Sequence, residues 1–142
     1  MAKQIRVSQI GEYAKGKYDK LITAAVAETY KSLIIKSPVD TGRFKVSWAV
    51  GENDASFDGA PAGKPSYPAP NPEVPNRIGY GKEKAGNIYS VYNNLPYAEK
   101  LETAPIGQGS SRKTNGPGWV RNTAKRVQRL IPTLAKQIEL EP

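Results

Sequence analysis

The chain has 142 residues, 21 basic and 13 acidic side chains and a net charge of +8, with no cysteine and no histidine. Those two absences remove disulfides, thiolate nucleophiles, cysteine–zinc sites, Ser-His-Asp and Cys-His arrangements, and the commonest general base. What is left for chemistry is carboxylates, lysines, tyrosines and hydroxyls, so the expectation is a protein that is not an enzyme and carries no cofactor.

The length suits one domain over 1–142. Apolar residues make up only 38 % of the chain, which also carries 12 prolines and 13 glycines; this implies one core plus a long irregular excursion. Charge is uneven. Residues 1–36 and 101–142 each hold seven basic and three acidic side chains, whereas 37–100 hold seven of each. Basic ends attract nucleic acid or an acidic protein surface; the plainer explanation is a solvated helix face. No apolar run reaches the roughly 20 residues a bilayer span needs, and Met1 to Ile10 lack the apolar stretch of a signal peptide, so no membrane role and synthesis in the cytoplasm are expected.

In chain order, Leu21, Ile22, Ala25, Val26, Thr29, Tyr30, Leu33 and Ile34 recur at helical steps within Val7 to Lys36. The spacing predicts a helix, continuous from near Lys17, and weakened before it by Gly11 and Gly16. Ser37-Pro38 ends it. Asp40, Thr41 and Gly42 form a turn, with Asp40 or Thr41 able to cap a helical turn and Gly42 permitting a tight bend. Two readings then fit equally: a half-buried strand through Phe44, Val46, Trp48 and Val50, or a helical turn through Phe44 followed by a strand from about Val46.

Residues 52–84 are a Pro/Gly-rich extended loop or arm, with six prolines between Pro61 and Pro75. It is either a floppy surface insertion or an arm lying on a neighbouring subunit, for which Tyr67, Pro68, Pro70, Pro72 and Tyr80 are the docking candidates. Ile88 to Asn93 alternate as a strand with large side chains on both faces. Asn93-Asn94 marks a turn, and Leu95 to Glu102 read as an edge element or short helix. Thr103 to Gly118 form a second loop containing Arg112 and Lys113. The last helix runs from about Trp119 to Leu140 with the stripe Val120, Ala124, Val127, Ile131, Leu134 and Ile138; Pro132 predicts a bend near Ile131 or two shorter helices. Together these elements predict an α+β fold, a small antiparallel sheet packed against a long N-terminal helix and a C-terminal helix.

Few patterns point to chemistry. Asp54 and Asp58 are the candidate carboxylate pair, at the mouth of a flexible loop ill-suited to catalytic geometry. Glu52 to Gly59 lack the downstream glutamate of a calcium loop, and Gly79-Tyr80-Gly81-Lys82 lacks the setting of a phosphate loop. Arg121, Lys125 and Arg129, spaced by four on the last helix, make direct nucleic-acid binding the rival function, without a recognised motif beside them.

Three stretches read together resemble a known family. Ser37-Pro38-Val39-Asp40-Thr41-Gly42-Arg43-Phe44-Lys45-Val46-Ser47 is similar to the P-V-D-T-G-x-L-x-x-S segment of tailed-bacteriophage tail-completion and neck proteins, the lambdoid-phage tail-component type. Asn93-Asn94-Leu95-Pro96-Tyr97-Ala98-Glu99-Lys100-Leu101-Glu102 resembles that family's N-x-x-P-Y-A-x-x-x-E segment, and Gly116-Pro117-Gly118-Trp119-Val120 its approach to the last helix. The Pro-rich insertion is long for the family, and no glycine soon follows Glu102. The resemblance implies a virion structural protein of the neck or tail, assembled in the host cytoplasm. It implies a homo-oligomeric ring, expected as a hexamer with twelve copies as the alternative, that joins portal or head-completion proteins to tail-tube or tail-terminator proteins. Contact with the passing DNA is a further expectation. Arg112, Lys113, Arg121, Lys125 and Arg129 are the basic candidates for such contacts.

Overall fold

The computed structural model describes residues 7–39, 41–103 and 116–140. Its elements are α1 (Val7–Lys36), α2 (Arg43–Val46), β1 (Trp48–Glu52), β2 (Arg77–Ile78), β3 (Tyr89–Asn93), α3 (Ala98–Thr103) and α4 (Trp119–Leu140). This is an α+β arrangement, with the two long helices and a three-stranded sheet predicted from the periodicities.

The apolar stripe of α1 supplies the heart of the core: Val26, Tyr30, Leu33 and Ile34 are buried together with Phe44, Trp48, Val50, Leu95 and Trp119. The helix stops where proline forbids its continuation. Just before that stop, Ser37 donates its hydroxyl to the Leu33 carbonyl at 2.6 Å and accepts the Trp48 indole N–H at 2.7 Å. One side chain thus both terminates α1 and fastens it to β1.

Of the two readings open for residues 44–50, the structure has the second: a single helical turn, then a strand. The alternation expected of a half-buried strand is absent, because Trp48, Ala49, Val50 and Gly51 are all buried. As the central strand of the order β2-β1-β3, β1 is enclosed on both faces. The segment leaving it folds back so closely that a Cβ on Gly51 would lie 2.5 Å from the Ala55 carbonyl oxygen and 2.9 Å from the Tyr92 ring.

The sheet is mixed where an antiparallel one was expected. β1 and β3 pair antiparallel, from Trp48 opposite Asn93 to Glu52 opposite Tyr89, but β1 and β2 pair parallel, Val50 opposite Arg77 and Gly51 opposite Ile78. A parallel neighbour requires the chain to return to the strand's starting end before pairing. Residues 53–76, the Pro-rich stretch, make that return in place of the usual helix.

α4 packs along α1, and the join is polar as well as apolar. Arg126 reaches Glu28 at 3.2 Å and also bonds Ser32, while the Lys17 ammonium donates to the Ile138 carbonyl at 2.9 Å. The side of α4 that is buried runs through Trp119, Thr123, Val127 and Ile138; Ala124 and Ile131, expected in the stripe, are exposed. Thr123 is tolerated inside because its hydroxyl donates to the Trp119 carbonyl at 2.8 Å. Pro132 lies within one uninterrupted helix instead of dividing it in two. Pro132 and Gln128 both sit on the exposed side, where solvent can satisfy the carbonyl that proline leaves without a donor.

Candidate functional site

The Thr41-Gly42 turn is where the first stretch gains its shape. Gly42 adopts φ 90°, a left-handed conformation that side chains disfavour, and immediately precedes α2. The Thr41 hydroxyl accepts the Arg43 backbone N–H at 3.3 Å, and the Thr41 carbonyl accepts the Tyr67 N–H at 2.8 Å. A Cβ on Gly42 would lie 3.2 Å from the Tyr67 carbonyl oxygen. The turn is therefore a seat for the Pro-rich loop. Asp40, the third residue singled out there, lies outside the described residues.

From that turn, Phe44 points into an aromatic cluster. Its ring meets Trp48 at 5.6 Å, Tyr97 at 6.3 Å and Trp119 at 6.3 Å, and Trp48 meets Trp119 at 6.3 Å, the tryptophan contacts all edge-on. Such edge-to-face pairs add about 0.5–1.5 kcal/mol each beyond the area they bury. Polar links hold the same elements in register. The Asn93 amide donates to the Phe44 carbonyl at 2.8 Å, and its oxygen accepts the Leu95 N–H at 3.2 Å. Asn94 donates to Ser56 and to the Phe57 carbonyl, both at 3.1 Å. The Trp119 indole donates to the Leu101 carbonyl at 3.0 Å, and Gly118 N–H to the Glu102 carbonyl at 2.8 Å.

Beside this cluster a cleft of about 410 Å³ opens between β3, α3 and the start of α4, with Phe44, Trp48, Val91 and Tyr92 among its lining and the carboxylates Glu99 and Glu102 on it too. Its lining mixes aromatic and aliphatic side chains with the two carboxylates and the Asn93 amide. Among the described residues no cluster of acidic side chains could hold a metal, and no helix is long and apolar enough to cross a membrane. Asp54 and Asp58 are both exposed.

The Pro-rich loop is fastened to its own chain at several points. Ala60 N–H donates to the Ser47 hydroxyl and the Arg43 guanidinium to the Ala60 carbonyl, each at 2.9 Å. Val50 N–H donates to the Asn76 carbonyl at 2.8 Å, and Lys31 pairs with Glu73 at 2.9 Å. Between these fastenings residues 61–66, Pro68 and Ala69 are exposed, with Tyr67, Pro70 and Pro72 half-buried. Tyr67 bonds the Pro61 carbonyl through its hydroxyl, and the Lys64 ammonium stands 5.8 Å over its ring. Tyr80 is turned inward: it packs against the core and the Tyr89 ring at 5.3 Å, and its hydroxyl is buried without a hydrogen-bond partner. Burial, with the Glu83 charge adding to it, holds that phenol far above its ordinary pKa.

Glu83 was not anticipated from sequence, where it sits between Lys82 and Lys84 in an apparently solvated run. Its side chain is fully buried and takes two bonds from Arg77, at 3.0 and 3.3 Å. The pair closes the short segment that follows β2, and no local pattern announces that Glu83 is buried there. The same holds for Ser47, wholly buried, which donates to the Arg43 carbonyl at 2.6 Å while accepting from Ala60.

Arg121, Lys125 and Arg129 are all exposed on one side of α4, as their spacing predicted. Arg112 and Lys113 lie outside the described residues. Compared with known proteins, the chain matches no family model, no curated protein and no solved structure at a significant level.

Proposed function

We propose that this chain is a neck or tail-completion subunit of a tailed-bacteriophage particle, working as one member of a ring that joins the head connector to the tail. One observation carries the reading. The three stretches that resemble the family are far apart in sequence, yet they meet around Phe44: Asn93 bonds its carbonyl, and Tyr97 and Trp119 pack on its ring. Side chains that form one joint explain why those stretches would occur together. The joint positions the cleft and the exposed part of the Pro-rich loop, the two surfaces best suited to neighbouring protein.

Its work is assembly. Each subunit presents one surface to the next by a head-to-tail contact, and the rotation closes the ring. The loop, stiffened by proline and seated on the Thr41-Gly42 turn, loses little entropy when a neighbour covers it. The test is twofold. Purified protein examined by sedimentation and negative-stain microscopy should give closed rings, and phage lacking the subunit should accumulate filled heads without tails. Protein that stays monomeric at all concentrations and is absent from purified particles overturns the reading.

A further inference from the structure

α4 carries five cations and a single acid, Glu139, in its 22 residues. The fifth cation, Arg126, faces α1 and pairs with Glu28. The other four, Arg121, Lys125, Arg129 and Lys136, are all exposed, and among the described residues none has an acidic partner. At 100° per residue they fall within an arc of about 80°, and they extend along about 22 Å of helix. That arc lies opposite the side of α4 buried through Thr123, Val127 and Ile138. The stripe is thus a rigid line of positive charge held outward by the very packing that anchors the helix.

We propose that this face of α4 binds the phosphate backbone of duplex DNA without regard to sequence. Charge complementarity names the ligand class, and what the stripe lacks separates nucleic acid from an acidic protein. Protein interfaces are anchored by aromatic or large apolar side chains in a desolvated centre, with charges of both signs setting register. The four cations have no aromatic residue among them, and the one acid, Glu139, falls on the same arc only at its C-terminal end, three residues beyond Lys136. Backbone binding needs only cations at reachable spacing, since duplex DNA presents a negative charge every ~1.7 Å along its axis. The cations supply only charge; exposed Asn122 and Gln128 flank the arc, and the comparison of two duplexes tests whether they read bases. The inference concerns α4 alone and does not rest on the neck reading; sedimentation of the same samples reports oligomeric state separately.

The test is anisotropy of a fluorescent 24-base-pair duplex titrated with the full chain across a salt series. Four phosphate contacts predict a log–log salt slope of about −3.6, which is about a 150-fold loss of affinity between 50 and 200 mM salt. The triple variant Arg121→Gln, Lys125→Gln, Arg129→Gln should flatten the slope to about −0.9. The matched variant Lys64→Gln, Lys82→Gln, Lys84→Gln removes the same charge from exposed loop positions and should leave the slope as it was. Two duplexes of unrelated sequence should bind alike. The proposal is overturned if the wild-type chain fails to bind at 50 mM salt, or if both triple variants flatten the slope equally, which would reduce the effect to net charge. It is also overturned if polyglutamate of matched charge binds more tightly than the duplex, which would assign the face to an acidic protein. Circular dichroism of both variants checks that the fold is retained.

Discussion

Gly42 is the position where a single residue decides most. Its φ of 90° would cost a residue with a side chain about 1–2 kcal/mol, and a Cβ there would press on the Tyr67 carbonyl at 3.2 Å. Gly63 has a similar φ of 103° but open space around it. Gly42→Ala should therefore lose about 1–2 kcal/mol or more in a urea unfolding curve, and Gly63→Ala visibly less; the difference reads the seating of the loop. Equal losses would mean that the turn is strained but holds nothing. Asp-Thr-Gly was legible as a turn from residue type alone. That its carbonyl receives the loop was not, because Tyr67 is 26 positions away in the chain.

Among the elements, β2 depends most on an interaction remote from its own backbone. It is two residues long and lies at the sheet edge, so its own ladder is weak. The Arg77–Glu83 pair closes the segment behind it, with the carboxylate fully buried and the guanidinium about one-fifth exposed. Removing one partner of such a pair leaves a buried charge unmatched, which typically costs about 3–5 kcal/mol. Glu83→Ala should thus destabilise the protein by about 3 kcal/mol and raise amide exchange at Arg77 and Ile78. The double change Arg77→Met, Glu83→Leu should recover most of that loss, since apolar replacements of similar volume leave no charge unmatched. If the double variant is as unstable as the single, the pair is not the relevant contact. By contrast α1 and α4 are joined at separate points, Arg126 to Glu28 and Lys17 to the Ile138 carbonyl, in addition to their own helical hydrogen bonds.

At the level of the molecule, three tyrosines from different elements share one electrostatic condition. Burial raises the pKa of Tyr30, offset in part by the backbone of Asn76, and burial likewise raises those of Tyr80 and Tyr92. In the unfolded chain each ionises near pH 10. In the fold each keeps its proton to higher pH, so above about pH 10 the unfolded state binds fewer protons and stability falls as pH rises. Spectrophotometric titration should show these three resisting ionisation until a cooperative alkaline transition. Ionisation of these three near pH 10 while the chain is still folded would contradict the described burial.

Periodicity and chain breakers were enough to locate α1 and α4, to end α1 at Ser37-Pro38, to place β3 and to set the basic stripe on one side of the last helix. Those features depend on residues within a turn or two of each other, where spacing maps directly onto geometry. The parallel pairing of β2, the burial of Glu83, the inward turn of Tyr80 and the meeting of Asn93, Tyr97 and Trp119 around Phe44 were settled only by the folded chain. Each joins residues separated by a loop or a whole element, and their energies come from desolvation and packing that exist only once distant segments are in contact.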